Sequence, residues 1–327
     1  MADERIGARP ALGQAYALLA VAAYATVNAL LRLVAGEVDA FLGSLVRQLP
    51  LLLIAGTALL VLRPHVLRRS APVFLGTRWI LVLLGAGMVS FVLGNVVLFG
   101  ALDLGGLVVA SAGAQAGMAI GGALLSFIVL REPPTRSQLA GVAVVLVGLA
   151  VFAVPAFQGA TDASWGIGVM LALVAGVCYT VANTASRAVQ RRPATFLAAL
   201  GVTNLGGAAL LATIVAIRFG ADPQRVVEEL GQGRIVILLT AGAVNAVALA
   251  SVTLAVRYTT VTVVATTQSL VLVAGVLIGW LAFGEPVGPS TFIGAGIILT
   301  GVLISHIPVR KPHRPAPVET VSATSSK

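Results

Sequence analysis

The sequence predicts an all-α membrane protein in which ten transmembrane helices form two inverted five-helix repeats. Three observations carry that expectation. The 327 residues are 58% hydrophobic and only 10% charged, where a soluble domain carries about 25% charged residues. With a mean hydropathy of +1.00, the chain holds more apolar surface than a core of this size can hide. The apolar residues gather into windows of about 20, the length that crosses hydrocarbon as a helix, and polar residues inside those windows recur in the second half of the chain at a nearly constant offset.

The same arithmetic excludes disorder, fibrous repeats and nucleic-acid-binding domains. The formal charge is +9, but its cations sit in short runs between apolar blocks. The single cysteine, Cys178, lies inside an apolar segment, so neither a disulfide framework nor a metal-thiolate cluster is expected. His65, His306 and His313 are not spaced as a ligand set. No phosphate loop, heme motif or nucleophile-base pair is present, so the sequence points to no cofactor, no enzyme and no ATP-driven pump.

Residues 1–11 are a charged segment without an apolar core, unlike the start of a cleaved signal. A first repeat covers 12–155, with windows at roughly 12–35, 40–62, 79–101, 106–130 and 138–155. A second covers 165–307, with windows at roughly 165–187, 195–218, 234–256, 260–283 and 290–307. Short connections carry breakers, as at Arg63-Pro64 and Glu132-Pro133-Pro134. The longest, around 219–233, holds Asp222, Pro223, Arg225, Glu228 and Glu229 and reads as a short surface helix. Residues 308–327 form a basic, Pro- and Ser-rich tail expected to be disordered.

Basic loops resist translocation, so cations set the orientation. With the N-terminus in the cytoplasm, sixteen of the 21 Lys and Arg fall inside and four outside, namely Arg32, Arg218, Arg225 and Arg234; Arg47 falls within the second window. The sequence therefore predicts a multi-pass protein of the plasma membrane (the bacterial inner membrane) with both termini cytoplasmic.

The repeat is visible in YATVNALLR (24–32) and YTVANTASR (179–187), which share Tyr, Asn and Arg at a shift of 155. REPPTRSQLAGVAVVLVGL (131–149) and GEPVGPSTFIGAGIILTGV (284–302) share Glu132/Glu285, Pro133/Pro286, Ser137/Ser290, Gly141/Gly294, Leu146/Leu299 and Gly148/Gly301 at a shift of 153, as do Gln115/Gln268. Five helices per unit force the second copy to cross upside down. Such halves give two mirror-related arrangements of similar energy, one open to each side, which is the basis of alternating access and hence of transport. Duplication in a non-transporting scaffold is the plainer alternative.

This layout, with a Glu-Pro turn between the fourth and fifth helix of each half, resembles the drug/metabolite transporter superfamily, in particular its EamA-type members. The resemblance covers roughly residues 12–307 and rests most on Glu132-Pro133 and Glu285-Pro286. It implies a ten-helix carrier of amino acids, other small metabolites or drugs, often moving them outward. It also implies a central cavity lined by helices 1, 3, 4, 6, 8 and 9, with helices 5 and 10 at the periphery.

Polar groups at mid-membrane depth need a partner or a cavity. Tyr24 and Asn28 lie one turn apart on the first helix, and Tyr179 and Asn183 repeat the pair on the sixth. They read as a substrate-binding lining at the pseudo-two-fold axis, against interhelical glue as the alternative. Gln115 and Gln268, near Ser111, Thr266 and Thr267, admit the same two readings. Asn95 and Asn245 are not repeat matches and carry less weight, and Asn204 reads as packing glue. Arg47 either faces the cavity, where its planar fork suits a carboxylate, or snorkels to headgroups or to Glu37, Asp39 or Asp103; the sequence leans to the second. Glu132 and Glu285, at the surfaces, suit capping or fixing of the turn into the next helix. Gly113, Gly117 and Gly121, with Gly275 and Gly279, let backbones approach closely.

No Asp, Glu or His lies in the middle third of a window, so proton coupling lacks its usual titratable group. The function expected is a secondary exporter of small metabolites such as amino acids, working in the lipid bilayer without nucleic acid. A drug or cation extruder and a lipid-flippase subunit are the alternatives, and a homo-oligomer is left open.

Overall fold

The computed structural model describes residues 10–62, 76–129, 131, 135–152, 154, 163–190, 196–220, 222–258, 264 and 267–305. Expectations for Glu132, Pro133, the N-terminal charges and the 308–327 tail fall outside them. The described residues are helical, with no strand among them. Helices α1 (Pro10–Val34) and α2 (Ala40–Leu62) are followed by α3 (Thr77–Gly87), which runs through a π-helical turn (Met88–Gly94) into α4 (Asn95–Ile128). Then come α5 (Arg136–Phe152), α6 (Ala163–Gln190), α7 (Phe196–Phe219), α8 (Pro223–Tyr258), α9 (Leu270–Phe283) and α10 (Pro289–Ser305).

Among the described residues, six stretches are long and apolar enough to cross a membrane, and Arg136–Phe152, Leu270–Phe283 and Pro289–Ser305 are shorter apolar helices. One of the six, Thr77–Leu125, has 49 residues. Run straight, it would reach about 73 Å at 1.5 Å per residue, more than twice the hydrocarbon thickness. Gly106 breaks it, with φ 74 and ψ −175, a conformation essentially reserved for glycine. The third and fourth predicted windows are thus two arms joined at one residue. Gly231, with φ 59 and ψ 156, breaks α8 in the same way and separates a charged arm, the short helix anticipated near 219–233, from an apolar one.

Small residues decide the packing. Gly113, Gly117 and Gly121 of α4 lie against Ala172, Leu173 and Val177 of α6, and a Cβ at Gly117 would collide with the Leu173 carbonyl. Gly275 and Gly279 of α9 approach Ser111 and Val108 of α4. Both stripes therefore serve the close approach that their spacing predicts. The α5–α10 contact is reciprocal. Gly141 packs on Gly301, and Gly148 packs on Gly294 and Ile298. Because Gly141 matches Gly294 and Gly148 matches Gly301 in the repeat, each contact is the other's image. That is the signature of a two-fold axis between antiparallel copies.

Large apolar side chains cover the outside, among them Val61 at 70%, Ile217 at 77% and Leu281 at 71% exposure. A surface of this kind suits lipid rather than water.

One end of the bundle is charged. There Arg32 pairs with Glu285 (3.1 Å), Arg234 with Glu37 (3.2 Å) and Arg218 with Asp39 (2.6 Å), while Glu229 accepts the Asp39 N–H (3.1 Å). These pairs gather the C-terminal ends of α1 and α7, the start of α2 and the charged arm of α8. Glu285 also accepts the N–H groups of Leu107 and Val108 at 2.7 and 2.8 Å. It caps the second arm of α4, satisfying two of its four orphan donors. This corrects the expectation of a cap on its own turn: Pro286 has no N–H to offer, whereas the Gly106 break bares a helix start beside the carboxylate. Arg32, at the end of α1, is this carboxylate's partner.

Candidate functional site

Four side chains from separate elements meet in the interior. Arg47 of α2 is only 9% exposed; its guanidinium faces the Tyr179 hydroxyl of α6 and lies within electrostatic reach of Tyr24 of α1. The Tyr179 hydroxyl donates in turn to Asn95 Oδ1 at 2.9 Å. With a cation facing its oxygen, that hydroxyl directs its proton to Asn95, which orients the amide with oxygen toward the tyrosine. The Asn95 Nδ2 group is then left over. It is buried without a partner among the described residues, in a residue 1% exposed.

Local structure explains how these groups meet. The π-helical turn carries one residue more per hydrogen-bonded ring than an α-turn, so it rotates the next residue, Asn95, away from its α-helical direction. Gly94 lets this segment rest on α6, since a Cβ there would sit 3.2 Å from Cys178 and the Tyr179 ring. Ser90 fastens the contact. Its hydroxyl donates to the Cys178 carbonyl at 2.6 Å and accepts the Ala182 N–H at 3.1 Å. Those two backbone groups are i and i+4, the pair that closes one turn of α6. A side chain bridging them wedges that helix beside Tyr179.

On α2, Gly242 of α8 packs against the Arg47 carbonyl and Pro50. Gln48 donates to the Asn204 carbonyl at 3.2 Å and to the Asn204 side-chain oxygen, so Asn204 is the interhelical glue that its position implies. These contacts pin α2 on both sides of Arg47.

The snorkelling alternative for Arg47 does not hold. Glu37 and Asp39, its candidate partners, are taken by Arg234 and Arg218, and Asp103 lies against Gly36. No carboxylate pairs with Arg47 among the described residues. Helix 2, absent from the lining that the resemblance implies, supplies the site's charge. Both tyrosines lie toward Arg47, but their paired asparagines do not join them: Asn183 is exposed and Asn28 half-buried, while Asn95, given less weight by the sequence, completes the cluster. Gln115 and Gln268 are half-buried and stand apart from it; Gln14 donates to Thr267, next to Gln268, at 3.1 Å. Ser90 and the π-turn escape a reading of the sequence, since one serine in an apolar run carries no signal without a repeat partner. A surface groove lined by Arg218, Phe219, Arg225, Glu228 and Glu229 shares no residue with the cluster.

Chemically, the cluster is rich in donors and positive charge. A lone arginine in the membrane interior costs several kcal/mol unless an anion joins it. The arrangement can accept a planar anionic group such as a carboxylate, with the guanidinium and a free amide as donors.

Comparison with known proteins agrees with the architecture. A solved crystal structure superposes on 90% of this chain and 96% of its own, with a TM-score of 0.51 and 20% sequence identity, a likeness of fold alone. No curated protein is significantly similar. The model of the EamA-like transporter family matches residues 11–154 and again 166–307. A helical, multi-pass membrane chain that carries this family's unit twice is a transporter of small molecules, and the protein belongs to the EamA-like transporter family.

Proposed function

We propose that the protein is a secondary transporter that exports small metabolites bearing a carboxylate, such as amino acids, by alternating access. In this reading the chain crosses the plasma membrane of a bacterium ten times as two inverted halves, 12–155 and 165–307, with both termini in the cytoplasm. Tyr24 and Tyr179, the repeat-matched tyrosines, flank the substrate, and Arg47 and Asn95 hold its anionic group. The supporting observation is the buried Arg47, facing tyrosines from both halves with no acidic partner among the described residues. The same charge disfavours extrusion of cationic drugs, which would need a buried acid or an aromatic cage free of arginine.

The test is a tolerance screen. Cells overproducing the protein should withstand amino acids or analogues that arrest control cells. Tyr24→Ala and Tyr179→Ala, made separately, should each abolish that tolerance while the protein still reaches the membrane. Full tolerance in both variants would overturn the reading.

A further inference from the structure

We infer that the site takes its substrate as a monovalent anion and that export is an electrogenic uniport, driven by a membrane potential negative in the cytoplasm. This rests on the function proposed above and adds the charge form of the substrate and the driving force.

Arg47 is a permanent cation, because a guanidinium is not deprotonated in proteins. Around it stand the hydroxyls of Tyr24 and Tyr179 and the amide of Asn95, all neutral. Among the described residues, the unspent groups are donors, namely the guanidinium N–H groups and the Asn95 Nδ2. A carboxylate meets both needs, charge and acceptors. An ammonium meets neither, and no carboxylate among the described residues stands beside Arg47 to receive one. The carboxylate of a deaminated acid is therefore held as well as that of the matching amino acid, without an unpaired ammonium to bury.

The driving force is set by the groups that the interior lacks. All twelve Asp and Glu fall outside the middle third of the apolar windows, as do the three His. Asp103, Glu37, Asp39 and Glu285 cluster at the charged end, and the last three hold arginines. The interior thus offers no group that takes up and releases a proton near neutral pH, and no carboxylate to coordinate Na⁺. The loaded site is neutral, arginine plus anion, and the empty site returns as a cation. One negative charge leaves the cell per cycle: the potential does not act on the neutral loaded site, and it favours the return of the empty, cationic site to the cytoplasmic side. At 100 mV the potential alone sustains roughly a fifty-fold gradient of a monovalent anion.

The experiment uses the full chain reconstituted in liposomes loaded with one of three labelled solutes of matched side chain: leucine, 4-methyl-2-oxopentanoate or 3-methylbutylamine. Potentials are set with K⁺ gradients and valinomycin. The expected result is efflux of the oxo acid that accelerates with an inside-negative potential, is indifferent to imposed pH or Na⁺ gradients, and falls at least tenfold in Arg47→Gln but less in Arg47→Lys. The potential dependence of the unmodified protein is decisive even if a variant folds poorly. Oxo-acid efflux that follows a pH gradient at clamped potential overturns the uniport. Movement of leucine alone, blind to potential, overturns the anion. Both results leave the carboxylate-transporter reading standing. Movement of the amine alone, or of no solute above protein-free liposomes, overturns that reading as well.

Discussion

Tyr179 does two jobs with one oxygen: it faces the Arg47 guanidinium and donates to Asn95. Removing that oxygen strands a guanidinium and an amide carbonyl in the interior. Each orphaned polar group costs about 1–3 kcal/mol, and more when charged. Tyr179→Phe should therefore lower the thermal midpoint of the detergent-purified protein and raise the half-saturation constant for transport by about tenfold or more, since Arg47 loses its orientation. Tyr24→Phe should do less of both. Equal effects in the two variants, measured by thermal unfolding and initial rates, would show that the hydroxyl bridge does not hold the arginine. At this scale the sequence is half legible. The Tyr24/Tyr179 recurrence stands out, because polar residues are rare in such helices and a fixed shift makes each reinforce the other. Asn95 does not, because it has no repeat partner and its contact depends on the rotation set by the π-turn.

That turn and the serine within it belong to the scale of elements. An α-helix in lipid keeps its i to i+4 hydrogen bonds because no water competes for them. Ser90 stands between the two groups of one such pair, the Cys178 carbonyl and the Ala182 N–H, and supplies a donor to one and an acceptor to the other. Nothing is left unsatisfied, yet α6 gains a place where it can open at little cost, one residue from Tyr179. Ser90→Ala removes the bridge and lets the pair close directly. The expected outcome is a protein of equal or slightly higher thermal stability whose transport rate falls several-fold at unchanged apparent affinity. A loss of stability without a change in rate would make Ser90 a fastener and no more. Neither feature can be read from composition, because a wedge is a relation between two helices. The glycine stripes of α4, α5, α9 and α10 can be, since a backbone that approaches another closely must be written in residues without side chains.

At the scale of the whole molecule, the repeat is the legible fact and its inversion is the physical consequence. The match of 131–149 to 284–302 reappears as reciprocal Gly141–Gly301 and Gly148–Gly294 contacts, which a parallel duplication would not produce. What the repeat could not reveal is where symmetry fails. Arg47 and Asn95 have no counterparts at the repeat distance, so a nearly symmetric frame encloses an asymmetric, singly charged site. The repeat also carries an expectation about topology. Two inverted halves of five helices each would cross the membrane an even number of times and leave both termini in the cytoplasm. Because the only cysteine, Cys178, is 6% exposed, Cys178→Ala gives a thiol-free background at small cost. In it, Ala2→Cys and Ser326→Cys should resist an impermeant maleimide in intact cells and react once the membrane is opened. Asp222→Cys, at the charged end, should react from outside at once. Labelling of only one terminus in intact cells would place the ends on opposite faces, and two inverted five-helix halves could not then be the architecture.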